Sequence, residues 1–259
     1  MEFTGKTALV TGAAGAIGKA VACELCTKGA NVFITDLQQD QLDVAISELS
    51  KSGTCKGLAG NVTKEADVVA IVNAAKEAFG GKIDILINVA GIVAQNKIED
   101  ISVAEWDKVF AVNCTGSFLL IKHIVPLMKA HKYGKIVNYS SKSGKTGSAL
   151  MAHYSAAKAA IIGLTQALAY ELADHNINVN CVCPGITENT GVWSNVSAGY
   201  IELHKMSHDA IVKKFSEKIP LKRLAGIKDV VAVTSFLASS GADYMTGQAI
   251  NITGGREMH

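Results

Sequence analysis

Residues Thr7–Gly18 have the sequence TALVTGAAGAIG, in which an apolar run meets a glycine-rich turn and a helical pattern follows. The run Thr7–Thr11 is predicted to be a buried strand, and the helix is predicted to begin at Ala16. Glycines at such a junction permit a tight turn and bring backbone N–H groups close to a pyrophosphate, which a helix N-terminus also attracts. This stretch decides the fold, because it predicts a strand–turn–helix unit that binds a nucleotide.

The same alternation of strands and helices runs along the whole chain, and several strands are apolar on both faces, as parallel strands covered by helices must be. Strands are predicted at Thr7–Thr11, Asn31–Thr35, Lys56–Ala59 (the weakest run), Ile83–Asn88, Lys135–Ser140, Ile177–Val182 and Ala249–Ile252. Helices are predicted at Ala16–Lys28, Gln38–Lys51, Lys64–Phe79, Ser102–Ala130, Met151–Ala173 and Lys228–Ser239, the fourth opened by a capping box of Ser102 and Glu105. The order predicts an α/β fold: a single domain over residues 1–259 with a doubly wound, Rossmann-like parallel sheet of about seven strands and helices on both faces.

Composition excludes several other classes of protein. The chain has 259 residues, of which 49% are hydrophobic and 19% charged, so it can bury one large core and is too apolar for disorder. Its net charge is only +2, without the basic stripe of a nucleic-acid binder. No stretch of about 18 apolar residues is expected to span a membrane, and no leader is expected before the first strand. The expectation is a cytoplasmic enzyme or binding protein without nucleic-acid or membrane partners.

The six cysteines do not indicate a redox or metal site. Cys23 and Cys26 form a C-x-x-C sequence inside a predicted helix, and Cys181 and Cys183 alternate along a predicted strand. Neither pair has a histidine at metal-ligand spacing, so buried free thiols and no metal are predicted.

Asp36 ends the second predicted strand, 18 residues after Gly18. A carboxylate at that position can accept hydrogen bonds from both ribose hydroxyls of an adenosine. It would also repel the 2′-phosphate of NADP, and neither Gly15 nor Leu37 supplies a neutralising cation. The cofactor is therefore predicted to be NAD.

Tyr154 and Lys158 lie four residues apart at the start of the fifth predicted helix, which places them on one helix face. A phenol has a pKa near 10, and an adjacent ammonium group is expected to lower the pKa of Tyr154. The tyrosine would then act as a general base for an alcohol proton or as an acid toward a carbonyl oxygen.

In this context the chain resembles the short-chain dehydrogenase/reductase family. The motifs that carry the resemblance are the glycine turn, Asn88-Val89-Ala90-Gly91, Asn113, Ser141, the Tyr154/Lys158 pair and Pro184-Gly185, in this order. The resemblance implies a catalytic tetrad of Asn113, Ser141, Tyr154 and Lys158, with hydride passing between nicotinamide and a carbinol carbon. Ser141 would hydrogen-bond the substrate oxygen, with its neighbour Ser140 as the competitor for that role. Asn113 would hold a water in a proton relay to Lys158, which would also bind the nicotinamide ribose.

The resemblance also implies the cofactor contacts. They are Gly12, Ala14, Ala16, Ile17, Gly18, Asp36, Leu37, Asn61, Val62, Asn88, Ala90, Gly91, Tyr154, Lys158, Pro184, Gly185 and Thr187. Three positions depart from the family pattern: Ala16 replaces the middle glycine of the turn, Val89 replaces a second asparagine, and Asn61 stands where aspartate is commoner. The Asn61 amide is still expected to meet the adenine amino group. None of the three positions belongs to the tetrad.

The segment Ile186–Ala225 follows the sixth strand and shows no clear strand pattern, which predicts a substrate lid; a helical insertion packed on the sheet edge is the alternative. It carries the polar residues Glu188, Thr190, His204, Lys205 and His208 and the aromatic residues Trp193 and Phe215. Polar lining suits a polyhydroxylated substrate, because unpaired hydroxyl groups are costly to desolvate. The substrate contacts are predicted to be Ser141, Lys142, Ser143, Tyr154, Glu188 and Trp193.

Among family members, the sequence is most similar in appearance to sugar-alcohol dehydrogenases of the sorbitol and sorbitol-6-phosphate type. Lys142 and Lys145 could bind a substrate phosphate, or both could be solvated loop charges. The alternative activity is a 3-oxoacyl-[acyl-carrier-protein] reductase or another ketone reductase, and the alternative class is an NAD-sensing protein without catalysis. By analogy, a homotetramer is expected, formed through Ser102–Ala130, Met151–Ala173 and Thr246–His259.

Overall fold

The computed structural model describes residues 2–205 and 207–259, except for the side chains of Tyr200, Glu202, Leu203 and His204. The predicted lid contribution of the His204 side chain therefore lies outside the described residues. Over the described ranges the chain forms one seven-stranded sheet in the order β3-β2-β1-β4-β5-β6-β7, and every strand pair is parallel. The strands are β1 Thr7–Thr11, β2 Asn31–Thr35, β3 Cys55–Gly57, β4 Ile85–Asn88, β5 Gly134–Tyr139, β6 Ile177–Pro184 and β7 Ala249–Ile252. This confirms the predicted doubly wound parallel fold.

Helices connect the strands and cover both faces of the sheet. They are α1 Ala16–Thr27, α2 Gln39–Leu49, α3 Glu65–Ala78, α4 Val103–Phe110, α5 Gly116–His131, α6 Ser143–Thr146, α7 Ala152–Leu172, α8 Gly191–His204, α9 His208–Ser216 and α10 Ile227–Ala238. The short helix α6 has no counterpart among the predicted helices, because one turn is too short to show a period.

Alternate residues along the strands build the core on the two sides of the sheet. Val10 and Ile34 face one side and pack with residues of α1, α2 and α10, such as Leu25. Leu9 and Phe33 face the other side and pack with residues of α3, α5 and α7, such as Ile124. Because both faces of the sheet are covered by apolar packing, functional side chains are expected at the ends of the strands.

The strand order reverses beside β1, which pairs with β2 on one side and with β4 on the other. The turns that follow β1 and β4 consequently touch: the Ala90 N–H donates to Thr11 Oγ1 at 3.1 Å. Gly12 has a φ of +65°, and a Cβ there would lie 2.9 Å from the Ala90 Cα. Only glycine fits this junction, which opens a crevice at the carboxyl edge of the sheet.

The predicted helix Ser102–Ala130 consists of α4, a π-helical segment Ala111–Thr115 and α5. Ser102 caps α4, because its Oγ accepts the Glu105 N–H at 3.1 Å. The Glu105 carboxylate instead accepts the Asn96 amide at 2.8 and 2.9 Å, so the predicted reciprocal half of the capping box is wrong.

The helical run from Val103 to His131 is long and apolar enough, by length and composition, to cross a bilayer, with a mean hydropathy of 1.4 in its most apolar window. This differs from the expectation that no such stretch exists. Half of that window is buried inside the protein, where Leu120, Ile124 and Met128 pack beneath the sheet. The length and apolar composition of this run therefore reflect its place as a core helix of the α/β fold.

The predicted lid, Ile186–Ala225, contains the two helices α8 and α9 rather than irregular chain. Its two ends are joined at the base, since Glu188 N–H donates to Ala225 O at 2.9 Å and Ala225 N–H donates to Ile186 O at 3.0 Å. Trp193, Ile211 and Leu224 form a small apolar core within it. The segment is thus a helical insertion, and it projects over the carboxyl edge of the sheet.

Candidate active site

One cleft of about 1190 Å³ runs along the carboxyl edge of the sheet, between the strand–helix turns and the helical insertion. Most of the residues predicted from the sequence line it. They are Gly12, Ala16, Ile17, Gly18, Asp36, Leu37, Asn61, Val62, Ala90, Gly91, Asn113, Ser141, Lys142, Ser143, Tyr154, Lys158, Pro184, Gly185, Thr187 and Trp193.

Three predicted residues do not line the cleft. Ala14 belongs to the turn after β1, and its N–H donates to Asp36 Oδ2 at 2.9 Å. Asn88 is buried, and its amide donates to Asn138 Oδ1 at 2.9 Å, linking two strands. Glu188 belongs to the base of the insertion, outside the lining of the cleft, so the structure does not bring it to the predicted substrate contact. Each of the three residues is held away from the cleft by a hydrogen bond that the sequence pattern does not reveal.

The nucleotide end of the cleft is organised around Asp36. Its Oδ2 accepts the Ala14 N–H, and its Oδ1 accepts the Leu37 N–H at 2.7 Å, so the carboxylate is held by both the first and the second turn. The cations that line the cleft within the described residues are Lys108, Lys142, Lys158 and Arg256, and none belongs to these two turns. The carboxylate therefore presents a fixed, unneutralised negative charge to a ribose.

Asn61 lines the same end, but its amide oxygen is already occupied. Oδ1 accepts the Thr63 N–H at 3.0 Å and the Thr63 hydroxyl at 2.8 Å. An amide oxygen has two lone pairs, so the expected contact from this oxygen to an adenine amino group meets a competing partner. The amide nitrogen is the part of Asn61 left to meet a base.

The catalytic end lies where α7 passes beneath the turns that follow β4 and β5. The Lys158 ammonium donates to the Tyr139 backbone oxygen at 2.8 Å and lies 5.6 Å from the centre of the Tyr154 ring. Ser140 Oγ donates to the Lys158 backbone oxygen at 2.7 Å, which ties strand to helix and leaves Ser141 as the serine that faces Tyr154.

Burial dominates the electrostatics of this end. It raises the pKa of Tyr154 to about 12, against the smaller lowering effect of the hydrogen bond with Ser141. It lowers the pKa of Lys158 to about 8. The expected lowering of the tyrosine pKa by the neighbouring lysine is therefore wrong for the protein by itself, because desolvation of the phenolate outweighs an ammonium group that is directed at a carbonyl.

Asn113 occupies the π-helical segment between α4 and α5. Its amide nitrogen donates to Ile92 O and to Val109 O, both at 2.9 Å. Its Oδ1 is buried and has no partner among the described residues. A Cβ on Gly91 would lie 2.7 Å from this oxygen and 3.3 Å from the Lys158 Nζ, so the two atoms converge on a space that only glycine leaves open. An unpaired buried acceptor beside an ammonium group is suited to hold a proton-carrying water.

Three side chains at the site were missed by sequence reasoning. Glu105 lines the cleft from α4, and its Oε1 lies 3.1 Å from the Nε2 of the fully buried His153. Arg256 lines the cleft from the C-terminal segment. The one sequence signal for Arg256 was its position four residues after the last strand, since the carboxyl ends of the other strands also carry the residues of the site.

The arrangement fits a nicotinamide dinucleotide. The glycine turn lies at the N-terminus of α1, the Asp36 carboxylate can accept ribose hydroxyls, and the orphaned Asn113 oxygen lies at the other end beside Lys158. No group of histidine, cysteine or carboxylate side chains that could hold a metal occurs in the described part of the chain.

Comparison with known proteins agrees with this geometry. The family model described as short chain dehydrogenase matches residues 6–200. An uncharacterized oxidoreductase of Thermotoga maritima is 40% identical over 98% of both chains. Galactitol 2-dehydrogenase of Agrobacterium fabrum is 35% identical, and the 3-oxoacyl-[acyl-carrier-protein] reductase FabG of Vibrio cholerae is 34% identical, each over 100% of both chains.

Two solved structures superpose closely. NAD+-bound xylitol dehydrogenase has a TM-score of 0.94 at 31% identity, over 98% of this chain and 100% of the other. A variant of actinorhodin polyketide ketoreductase with NADPH also has a TM-score of 0.94 at 31% identity, over 100% and 99%. The same fold thus binds NAD+ in one comparison structure and NADPH in the other.

Proposed function

Because the chain belongs to the short chain dehydrogenase family, whose members bind a nicotinamide cofactor and act on alcohols and ketones, we propose that it transfers hydride between NAD and a sugar alcohol or its phosphate. The observation that carries the proposal is the convergence of Asn113, Ser141, Tyr154 and Lys158 in one cleft with Asp36 at its far end.

Asp36 supports NAD over NADP. A 2′-phosphate would meet a carboxylate held rigidly by two backbone N–H groups, at a place to which the described residues bring no cation. Like charges at such short range are costly.

The tetrad divides the proton chemistry among its members. The chemistry that NAD would supply at this site is hydride acceptance from the carbinol carbon, so that oxidation of the alcohol would yield a ketone, NADH and a proton. Ser141 donates a hydrogen bond to the substrate oxygen, and Tyr154 exchanges the hydroxyl proton with it. The Lys158 ammonium, 5.6 Å from the Tyr154 ring, favours the phenolate form against the larger opposing effect of burial, and the free Asn113 Oδ1 holds a water through which Lys158 can exchange its proton with solvent.

Polar side chains around the reacting end support a polyol as the substrate. They are Glu105, Ser143, Ser148 and Asn195, alongside an apolar wall that includes Trp193. Thr190 also lines the cleft, but its hydroxyl caps α8 and donates to Thr187 O. Hydroxyl groups of a sugar alcohol need such donors and acceptors to replace water. A galactitol dehydrogenase among the relatives and a xylitol dehydrogenase among the structural neighbours are consistent with this class.

A 3-oxoacyl-[acyl-carrier-protein] reductase is the alternative, and a relative of that name supports keeping it. An NAD sensor without catalysis is the other class, which the presence of all four tetrad residues disfavours.

We also propose a homotetramer, supported by side chains exposed on the expected helices: Trp106 at 37%, Phe118 at 45% and Tyr170 at 90%. Light scattering tests the assembly, and a 27.2 kDa species would contradict it.

The first experiment follows nicotinamide absorbance with NAD or NADP against free and phosphorylated hexitols and pentitols, with acetoacetyl thioester and NADPH as the competing reaction. NAD-linked oxidation of a polyol is expected. Thioester reduction with no polyol oxidation would overturn the polyol proposal, and a parent enzyme with NAD binding but no turnover of any substrate would favour the sensor.

A further inference from the structure

Two cations that the proposed chemistry does not use meet at the substrate end of the cleft. Lys142 follows β5, directly after Ser141, and Arg256 follows β7. Both line the main cleft and also a small adjoining cavity of about 10 Å³, which Thr253 and Glu257 help to enclose. Their side chains are only 17% and 25% exposed, so they are part of the wall and not free surface charges.

One carboxylate stands between these two cations. Glu257 Oε1 lies 3.3 Å from Arg256 Nε and 4.0 Å from Lys142 Nζ. Glu257 Oε2 is buried and has no hydrogen-bond partner among the described residues, in a side chain that is 10% exposed. Two positive charges against one negative charge leave this corner with a net charge of +1.

The donors of the two cations remain available. Over the described parts of the chain, neither the Lys142 ammonium nor the terminal nitrogens of Arg256 make a hydrogen bond, so these donors remain available in the wall of the cleft. Burial lowers the pKa of Lys142, the positive charge of Arg256 lowers it further, and the negative charge of Glu257 opposes both to a smaller extent. A further anion between the two cations would favour the charged lysine and so offset both effects.

Lys145, the other lysine for which the sequence suggested a phosphate contact, is not available. Its Nζ donates to the Ala249 backbone oxygen at 2.7 Å, and it does not line the cleft. Arg256 lines the cleft together with Lys142 instead, although Lys142 and Arg256 are far apart in the sequence. The Arg256 guanidinium also lies 5.9 Å from the centre of the Phe215 ring, so the helical insertion helps to hold it in position.

We propose that Lys142 and Arg256 form an oxyanion pocket that binds a phosphate or carboxylate at the end of the substrate remote from the reacting carbon. The inference rests on the proposed function and makes it more specific: the preferred substrate is an anionic derivative of a polyol. Since Lys142 is adjacent to Ser141, an oxyanion bound there lies within the length of a small substrate whose hydroxyl group reaches Tyr154. Arginine suits either ligand, because its planar fork matches both phosphate and carboxylate.

The test compares Arg256→Gln and Lys142→Gln with Lys213→Gln, which removes an exposed cation of the helical insertion outside the cleft. The substrates are a hexitol, its terminal phosphate and the aldonate of the same carbon number, each with NAD. Loss of one charged contact is expected to lower kcat/KM for an anionic substrate by about 10- to 100-fold. The loss with the free hexitol should be at least several-fold smaller than the loss with the anionic substrates, so that the preference for the anionic substrate falls, and Lys213→Gln should change neither. The phosphate and aldonate arms distinguish the two sources of the oxyanion.

Binding of inorganic phosphate gives a readout independent of turnover. With the nucleotide site saturated by NAD, the phosphorus resonance of inorganic phosphate should broaden with the parent protein and with Lys213→Gln, but not with the Arg256 or Lys142 variants. If the parent oxidises no polyol but shows this pattern, the proposed substrate class fails and the oxyanion pocket stands. Equal broadening in all four proteins, or an unchanged preference between charged and free hexitol in both variants, would overturn the pocket.

Discussion

Replacing Lys158 by methionine should make the protein more stable at pH 7 while nearly abolishing its activity. Lys158 is 4% exposed, and burial lowers its pKa from the ordinary 10.5 to about 8. The protonated amine is therefore disfavoured in the fold by about 3 kcal/mol, since each pH unit corresponds to about 1.4 kcal/mol. Methionine keeps the length of the side chain and removes that penalty. It also loses the hydrogen bond to the Tyr139 oxygen, which is worth about 1 kcal/mol.

The net gain at pH 7 is about 2 kcal/mol, or roughly 4–8 °C in Tm for a chain of this size. Its pH dependence has a definite sign. Because the pKa in the fold is lower than in the unfolded chain, the parent gains stability as pH rises from about 8 to 10.5, and the variant does not. The difference between the two proteins should therefore shrink from pH 8 upward and reverse near pH 9.5, since about 1.4 kcal/mol is lost per pH unit; above pH 10.5 only the lost hydrogen bond remains.

Urea denaturation at pH 7 and pH 10, at one protein concentration and one ionic strength, measures this difference. Titrating groups remote from Lys158 are common to both proteins and cancel. The Cys114 and Cys183 thiols do not cancel, because the positive charge of Lys158 acts to lower the pKa of each, so both are replaced by alanine in the two proteins compared. Lys213→Met on the exposed face of α9 is the control, and it should show no pH-dependent gain. Oxidation rates should fall by about 10²- to 10⁴-fold in Lys158→Met. A variant that is less stable than the parent at pH 7, or a difference that stays constant with pH, would refute the argument that Lys158 is held at an electrostatic cost for catalysis.

Three further outcomes follow from the site. Asp36→Ala should lower kcat/KM with NAD by about 10- to 100-fold and improve NADP relative to NAD, because the carboxylate's hydrogen bonds to the ribose and its repulsion of the 2′-phosphate disappear together. Asp40→Asn is the control, and an unchanged cofactor preference in Asp36→Ala would contradict the role given to Asp36. Tyr154→Phe should keep NAD binding, measured by calorimetry, and lose about 10²- to 10⁴-fold in turnover; substantial residual turnover would point to another acid–base group. Gly12→Ala should destabilise the fold by about 2–4 kcal/mol in urea denaturation, from a strained positive φ and a Cβ 2.9 Å from the Ala90 Cα. Gly5→Ala has a similar φ of +77° with nothing within 4 Å of its Cβ, so it should show the strain alone, and equal losses in the two variants would argue against the close approach.

Local sequence patterns determined the parts of the protein that local physics controls. The apolar run Thr7–Thr11 ends in a glycine turn, and short-range sterics and hydrophobic periodicity suffice to specify such a unit. Asp36 could be placed from its distance along the chain alone, because the lengths of β1, α1 and β2 fix where the second strand ends. The tetrad positions came from the order of short motifs along one chain.

Only the tertiary structure decided how distant segments meet. The Asn113 oxygen and the Lys158 ammonium converge across Gly91, which no spacing along the chain predicts. The sign of the Tyr154 pKa shift depended on the depth of burial, a property of the assembled core and not of the neighbouring lysine. Glu188 is placed at the base of the insertion, Lys145 bonds to a backbone oxygen on β7, and Arg256 instead of Lys145 lines the cleft together with Lys142. Sequence periodicity fixes which face of an element is buried, but side-chain contacts and desolvation depend on which elements pack together, and that is decided by the whole chain.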